Sequence, residues 1–133
     1  MFSNQGVIQP EVVGNLNAAT ITVDFTTGTT NASFAGSFAD GGNGGSFTLN
    51  GGLANALKSS TFAAFDLTGN VVSGQMSTTS GNNCSASCVI YGHTDLQAIG
   101  GTAQGVGGVF HADTRPHGSV PVFGVVGTYL LER

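Results

Sequence analysis

In this 133-residue chain, the side chains best suited to chemistry belong to three histidines and one aspartate. His111 and Asp113 are two residues apart, so on a strand their side chains would point to the same face. His117 follows four residues later, and His93 precedes them. An imidazole beside a carboxylate can act as a base or bind a metal ion. The competing interpretation is a polar hairpin loop.

The loop interpretation is the one that the sequence favours, because Pro116-His117-Gly118 is typical of a turn. His93, His111, Asp113 and His117 are therefore weak ligand-binding candidates. Elsewhere the chain has no Gly-x-Ser-x-Gly nucleophile motif, and its acidic residues are too isolated to nominate a glycosidase pair. We assign no catalytic residue and no metal ligand, and expect a protein that is not an enzyme.

Cys84 and Cys88 are the two cysteines of the chain. A zinc site needs four ligands, and only His93 follows at short spacing, so the fourth would be missing. We predict a disulfide that closes a small loop between two strands, with metal binding and free thiols as the alternatives. A disulfide implies an oxidising compartment.

The composition narrows the function classes. Only 8% of residues are charged, against roughly 25% in ordinary soluble domains. Three basic residues cannot form a phosphate-binding stripe, which argues against nucleic-acid binding. No apolar run approaches the ~18–20 residues of a membrane helix. A surface rich in hydroxyls and amides indicates an extracellular, outer-membrane surface or periplasmic protein, although Met1–Gln5 lacks the features of a signal peptide.

Alternation with a period of two residues predicts eight strands joined by short loops. The expected fold is all-β, an eight-stranded antiparallel up-and-down barrel filled by phenylalanines. Leu53–Lys58 and Thr94–Ile99 are expected to form single helical turns. The predicted strands are Thr20–Phe25, Ser33–Phe38, Phe47–Leu49, Phe62–Thr68, Val71–Ser77, Cys88–Tyr91, Val106–Ala112 and Pro121–Leu131.

Two regions follow from this pattern. Residues 1–18 carry weaker signals and are predicted to form an extended N-terminal arm, while residues 19–133 form the barrel domain. An arm of this kind, on a chain with few charges, favours self-association by strand addition at a sheet edge.

A series of short motifs carries a family resemblance over residues 19–133. The chain resembles the β-barrel domain of bacterial transferrin-binding protein B and related surface lipoproteins, and the similar barrel appended to FecR-type sensor-regulators. The motifs are Val23-Asp24-Phe25, Gly45-Ser46-Phe47, Tyr91-Gly92, Val106–Phe110 and Val122-Phe123-Gly124. The family's Pro-Asn-Ala-Glu-Glu segment is absent. In the family, partner-binding surfaces lie largely on loops and accessory domains, so transferrin binding is not carried over.

The resemblance implies a bacterial cell-surface or exported module that binds a protein or supports a surface assembly, with no cofactor. The alternative is a lipocalin-like carrier that binds haem or a metal through His93 or His111. Phenylalanines spread over most strands favour a filled interior, and hence the first hypothesis.

Overall fold

The computed structural model describes residues 14–40, 43–55, 62–77, 83–85, 88–114 and 124–133. This part of the chain forms a single antiparallel sheet, so the all-β prediction is confirmed. Its strands are β1 (Gly14–Asp24), β2 (Thr29–Asp40), β3 (Asn43–Leu53), β4 (Phe62–Ser77), β5 (Asn83–Ser85), β6 (Val89–Ile99), β7 (Gly105–Thr114) and β8 (Gly124–Glu132).

The strands follow one another as an up-and-down meander in the order β1-β2-β3-β4-β6-β7-β8, as predicted. β5 lies off this path and pairs with the end of β4. The meander therefore has seven strands rather than the predicted eight. β1 and β8 approach each other to within 8 Å between Cα atoms, which makes the barrel nearly closed.

The missing strand results from the length of β4. Val71–Ser77, predicted as a separate strand, continues β4 without a turn at Gly69-Asn70. Gly69 instead permits a close approach of two backbones, because a Cβ atom there would overlap the carbonyl oxygen of Thr48 on β3. Glycine marks a tight backbone contact in this strand rather than a hairpin.

The two cysteines lie where β5 and β6 pair with the same edge of β4. Cys84 in β5 pairs with Met76, and Val89 at the start of β6 pairs with Asn70. The registers of β5 and β6 on β4 therefore differ by one residue. The carbonyl oxygen of Cys88 accepts a hydrogen bond from the Val71 amide at 3.3 Å. No free cysteine occurs in the described part of the chain, and the Cys84 side chain lies outside it. The disulfide stays a prediction.

Thr94–Ile99 is part of β6, so the predicted helical turn there is wrong. Thr94 and Leu96 are buried while Asp95 and Gln97 face outward, which is the period of a strand. The second predicted helical turn begins at Leu53, which ends β3, and residues 56–58 lie outside the described part of the chain.

An aromatic cluster holds the curled sheet together. Phe34 on β2 stacks on Phe110 of β7, with ring centroids 4.8 Å apart, and the Tyr129 ring of β8 lies 5.0 Å from Phe34. β2 and β7 are not neighbours in the sheet, so this contact crosses the interior. The buried apolar core consists of Ala32, Phe34, Phe38, Phe47, Leu49, Ala63, Phe65, Leu67, Val71, Ile90, Leu96, Phe110, Ala112 and Tyr129.

Two of the phenylalanines expected to fill the barrel lie on its surface. Phe25, 49% exposed, follows β1 in a turn, and Phe62 faces outward at the start of β4. Val72 is exposed because the inward alternation of Phe65 and Leu67 continues to Val71. Phe123 lies outside the described part of the chain.

The N-terminal boundary also differs from the prediction. β1 begins at Gly14, so residues 14–18, assigned to the arm, already pair with β2. The register shifts around Asn17, whose side-chain amide donates a 2.9 Å hydrogen bond to the Ser37 hydroxyl. Residues 1–13 lie outside the described part of the chain.

A small polar network is buried beside the aromatic cluster. The Tyr129 hydroxyl donates to the Asp95 carbonyl oxygen at 2.9 Å and lies 3.1 Å from Thr94 Oγ1. The Thr94 hydroxyl donates to the Val109 carbonyl oxygen, also at 2.9 Å. Burial raises the pKa of the Tyr129 hydroxyl above its ordinary value. The network links β6, β7 and β8.

We expect Phe34→Ala to lower the free energy of unfolding by about 3–5 kcal/mol, because it leaves a cavity where two aromatic contacts meet. Phe25→Ala is the matched control, since its ring is half exposed, and should cost less than about 1 kcal/mol. Urea unfolding measures both. Equal losses of unfolding free energy would show that the aromatic cluster does not stabilise the curled sheet.

The raised Tyr129 pKa predicts a loss of stability in alkali. A group whose pKa is higher in the folded state stabilises fully below its unfolded pKa of 10.0 and loses that contribution as the pH rises through the folded value. Tyr129→Phe should cost about 1 kcal/mol at neutral pH and flatten the stability profile above pH 10. Urea unfolding between about pH 7 and pH 11, a range that includes the unfolded pKa of 10.0, measures the slope. An unchanged slope in the variant would contradict the assignment to Tyr129.

Candidate functional site

The outer faces of β4, β6 and β7 place one carboxylate and two imidazole side chains next to one another. Asp66 on β4 is the register partner of His93 on β6, and His93 is in turn the partner of His111 on β7. Directly opposed side chains on one face have Cβ atoms about 4.5–5.5 Å apart. A carboxylate and two imidazoles therefore form a row across the wall.

His93 is the centre of this row. Its Nδ1 lies 3.4 Å from Asp66 Oδ1, and its Nε2 lies 3.3 Å from an Asp95 carboxylate oxygen. The His111 ring is 5.8 Å away between centroids, tilted by 41°. Protonation of His93 would turn both carboxylate contacts into ion pairs. We call Asp66, His93, Asp95, His111 and Asp113 the carboxylate–histidine cluster.

A shallow cavity of about 420 Å³ lies against this cluster. Asp113 and the half-exposed ring of Tyr91 line it one row further along the strands, where they are register partners. Its floor includes Gly92, whose Cβ position would meet the His111 carbonyl oxygen. The cavity is therefore a depression in the outer wall of the barrel, open to water.

The structure thus unites three of the four candidates from the sequence. His93, His111 and Asp113 meet on one face, and His111 and Asp113 belong to β7, so the loop interpretation is wrong for these two. His117 lies outside the described part of the chain.

Sequence reasoning missed Asp66, Asp95 and Tyr91. Alternation alone shows that Asp66 faces outward between Phe65 and Leu67. What it does not give is the register that sets Asp66 beside a residue 27 positions later. The outward position of Asp66 was therefore visible in advance, and its meeting with His93 was not.

The carboxylates of the cluster are placed where a positively charged group can reach them. The side chain of Asp66 is 93% exposed and that of Asp95 is 44% exposed, so the carboxylates face water. Among the described residues no group of three or more His, Cys, Asp or Glu side chains is arranged to hold a metal ion. Three carboxylates on one patch of wall attract a positively charged group.

An apolar patch adjoins the cluster toward the other end of the strands. It consists of Phe62, Ile99, Val109 and Leu130, all exposed by more than 40%, around a depression of about 340 Å³. Asp95 lines this depression too, so the patch and the cluster share a residue. Large apolar side chains gathered on a soluble surface commonly mark an interaction site.

Gly107 forms the depression in the apolar patch. It lies on β7 between Gln97 of β6 and Leu130 of β8 and contributes no side chain. A Cβ atom there would come 3.0 Å from the terminal methyl of Ile99. The side chains of Ile99 and Leu130 therefore extend over position 107, where β7 has no side chain of its own.

Comparison of the chain with family models, curated proteins and solved structures gives no match. The resemblance to the transferrin-binding protein B barrel therefore stays a prediction from the sequence motifs. Within the described residues, no helix is long and apolar enough to cross a membrane.

The close contact of β6 and β7 at Gly92 predicts a sharp difference between two glycines. Gly92→Ala would press a methyl group onto the β7 backbone at His111, force the strands apart and cost about 1–3 kcal/mol. Gly101→Ala should be nearly neutral, because nothing lies within 4 Å of its Cβ position. Urea unfolding compares the two. Similar losses of unfolding free energy in the two variants would contradict the close packing of β6 and β7 at the cluster.

Proposed function

We propose that this chain is a non-enzymatic binding module of the bacterial cell surface or exported space. It recognises a partner protein through the outer wall of β4, β6, β7 and β8. The observation that carries the proposal is the joining of the apolar patch to the carboxylate–histidine cluster on one face.

The outer face of β2 has a different character, which supports this location. The outward residues of β2 are mostly hydroxyls, amides and alanines, among them Asn31, Ser33 and Ser37. On β8, by contrast, Val126 is 80% exposed and stands beside His111. The partner surface that fits the face presents apolar side chains next to lysine or arginine, because apolar burial supplies affinity and the carboxylates supply orientation.

Two features support binding rather than catalysis. Enzyme sites usually exclude water from the reacting groups, whereas this cluster lies on an open wall with an almost fully exposed Asp66. The half-exposed Tyr91 ring offers a surface on which a cationic side chain can rest.

The interior of the barrel gives less support to the alternative hypothesis, a lipocalin-like carrier of haem or a metal. A lipocalin-like barrel holds its ligand inside, and here Phe34, Phe47, Phe110 and Tyr129 meet there. Both depressions at the candidate site lie on the outer wall. Haem or metal binding through His93 or His111 would therefore take place on the surface.

Selection of peptides from a random library tests the proposal directly. Peptides retained by the wild-type chain should be enriched in lysine or arginine next to large apolar residues. Leu130→Ser should weaken their binding about tenfold, through lost apolar burial, and Asp66→Asn about twofold to fivefold. Fluorescence anisotropy measures the affinities, which should also fall with added salt.

Two controls make the same chemical changes away from the face. Leu53→Ser alters an exposed leucine at the end of β3, and Asp24→Asn alters a carboxylate at the end of β1. Both should leave peptide binding unchanged. Selected peptides without basic or apolar enrichment, or equal losses in the controls, would overturn the proposed site.

A further inference from the structure

The two outermost strands, β1 and β8, leave an unusual seam in the barrel. Every neighbouring pair along the path is antiparallel, and the path contains an odd number of strands, so β1 and β8 run in the same direction. In the described part of the chain no backbone pairing joins them. Among the described residues, no strand therefore pairs with the outer edge of either β1 or β8, which presents backbone N–H and C=O groups.

The apolar core is least covered at this same seam. Inward residues of the central strands, such as Leu67 and Leu96, are fully buried. Apart from the buried Tyr129, apolar inward residues of the outermost strands are only partly buried, although they pack against the core: among them Ile21 and Val23 on β1, Val125 and Leu131 on β8. Unpaired backbone and uncovered apolar surface thus coincide.

We infer that the seam between β1 and β8 accepts an extended segment of a partner protein as an additional strand. A segment that runs opposite to both edges pairs antiparallel with each of them and completes an even-numbered barrel. Apolar residues at every second position then cover Ile21, Val23, Val125 and Leu131. The inference rests on the proposed function in taking the partner to be a protein, and it adds a second binding site.

The geometry selects an extended segment over a folded second copy. An edge strand of a folded barrel has one side bound within its own sheet, so it can satisfy β1 or β8 but not both. A free segment has two unpaired sides. Strands that flank a common neighbour lie about 9.5 Å apart, and β1 and β8 approach to within 8 Å. Insertion therefore requires the seam to widen, which breaks no backbone ladder among the described residues.

Amide hydrogen exchange of the free chain tests the premise. Amides of β1 and β8 that face the seam should exchange faster than those of β3 and β6, which are paired on both sides. Equally slow exchange would show that the N-terminal residues or a second copy already cover the edges, and would overturn the inference.

The probe for binding is a synthetic peptide with the sequence of Thr29–Asp40. It is the natural antiparallel neighbour of β1 and carries Phe34 and Phe38 on one face. A control peptide exchanges Phe38 with Ala39, which moves one ring to the opposite face. The first peptide should bind saturably and slow exchange in β1 and β8, and the control should bind about tenfold more weakly. No saturable binding, or equal binding of the two peptides, would overturn the inference.

Adjacent residues of β8 separate the seam from the wall. Val125→Thr changes an inward residue at the seam and should weaken peptide binding severalfold, while Val126→Thr changes an outward residue and should leave it unchanged. Ile21→Val, which removes one methyl group, is a milder seam variant if Val125→Thr disturbs the fold. Losses confined to Val126→Thr and Asp66→Asn would place the peptide on the wall, so the inference would fail while the proposed function stood. The reverse pattern would leave the seam standing and remove the wall site.

Discussion

The contact between Phe34 and Phe110 across the interior is the constraint on which the barrel depends. These rings belong to strands that are not neighbours in the sheet, and they stack at a centroid distance of 4.8 Å. A flat sheet could not bring them together, so their burial and the curling of the sheet are one event. Tyr129 adds β8 to the same cluster and, through its hydroxyl, ties that strand to β6. The apolar interior in turn assigns every second residue of each strand to the outer wall, where His93 and its neighbours lie.

Alternation allowed the faces of most strands to be predicted from the sequence, because a half-buried strand must present apolar residues with a period of two. Phe34 and Phe38 on β2, and Phe65 and Leu67 on β4, face inward as expected. The candidate site was only partly predictable. Its assembly depends on register, which joins Asp66 to His93 across 27 positions of the chain, and a one-residue slip would turn every side chain of a strand to the other face.

Glycine was the residue whose role the sequence pattern left most ambiguous. Gly69-Asn70 has the composition of a turn, yet Gly69 lies inside β4, where a Cβ atom would overlap the β3 backbone. Gly107-Gly108 likewise lies within β7, where a Cβ on Gly108 would come 2.7 Å from the Tyr129 hydroxyl oxygen. Conformational freedom and close approach call for the same residue, and only the neighbouring strand decides between them.

The interpretation of Gly69 also determines the state of the barrel edges. A hairpin at that point would have divided β4 and made the strand count even, so that β1 and β8 would meet antiparallel and could close the sheet by themselves. Because β4 runs straight through, the count is odd and the two edges are parallel. The local steric requirement at Gly69 thus sets the number of strands and the relative direction of β1 and β8. It leaves Ile21 and Val125 half-buried at a seam whose geometry an extended strand of opposite direction would satisfy.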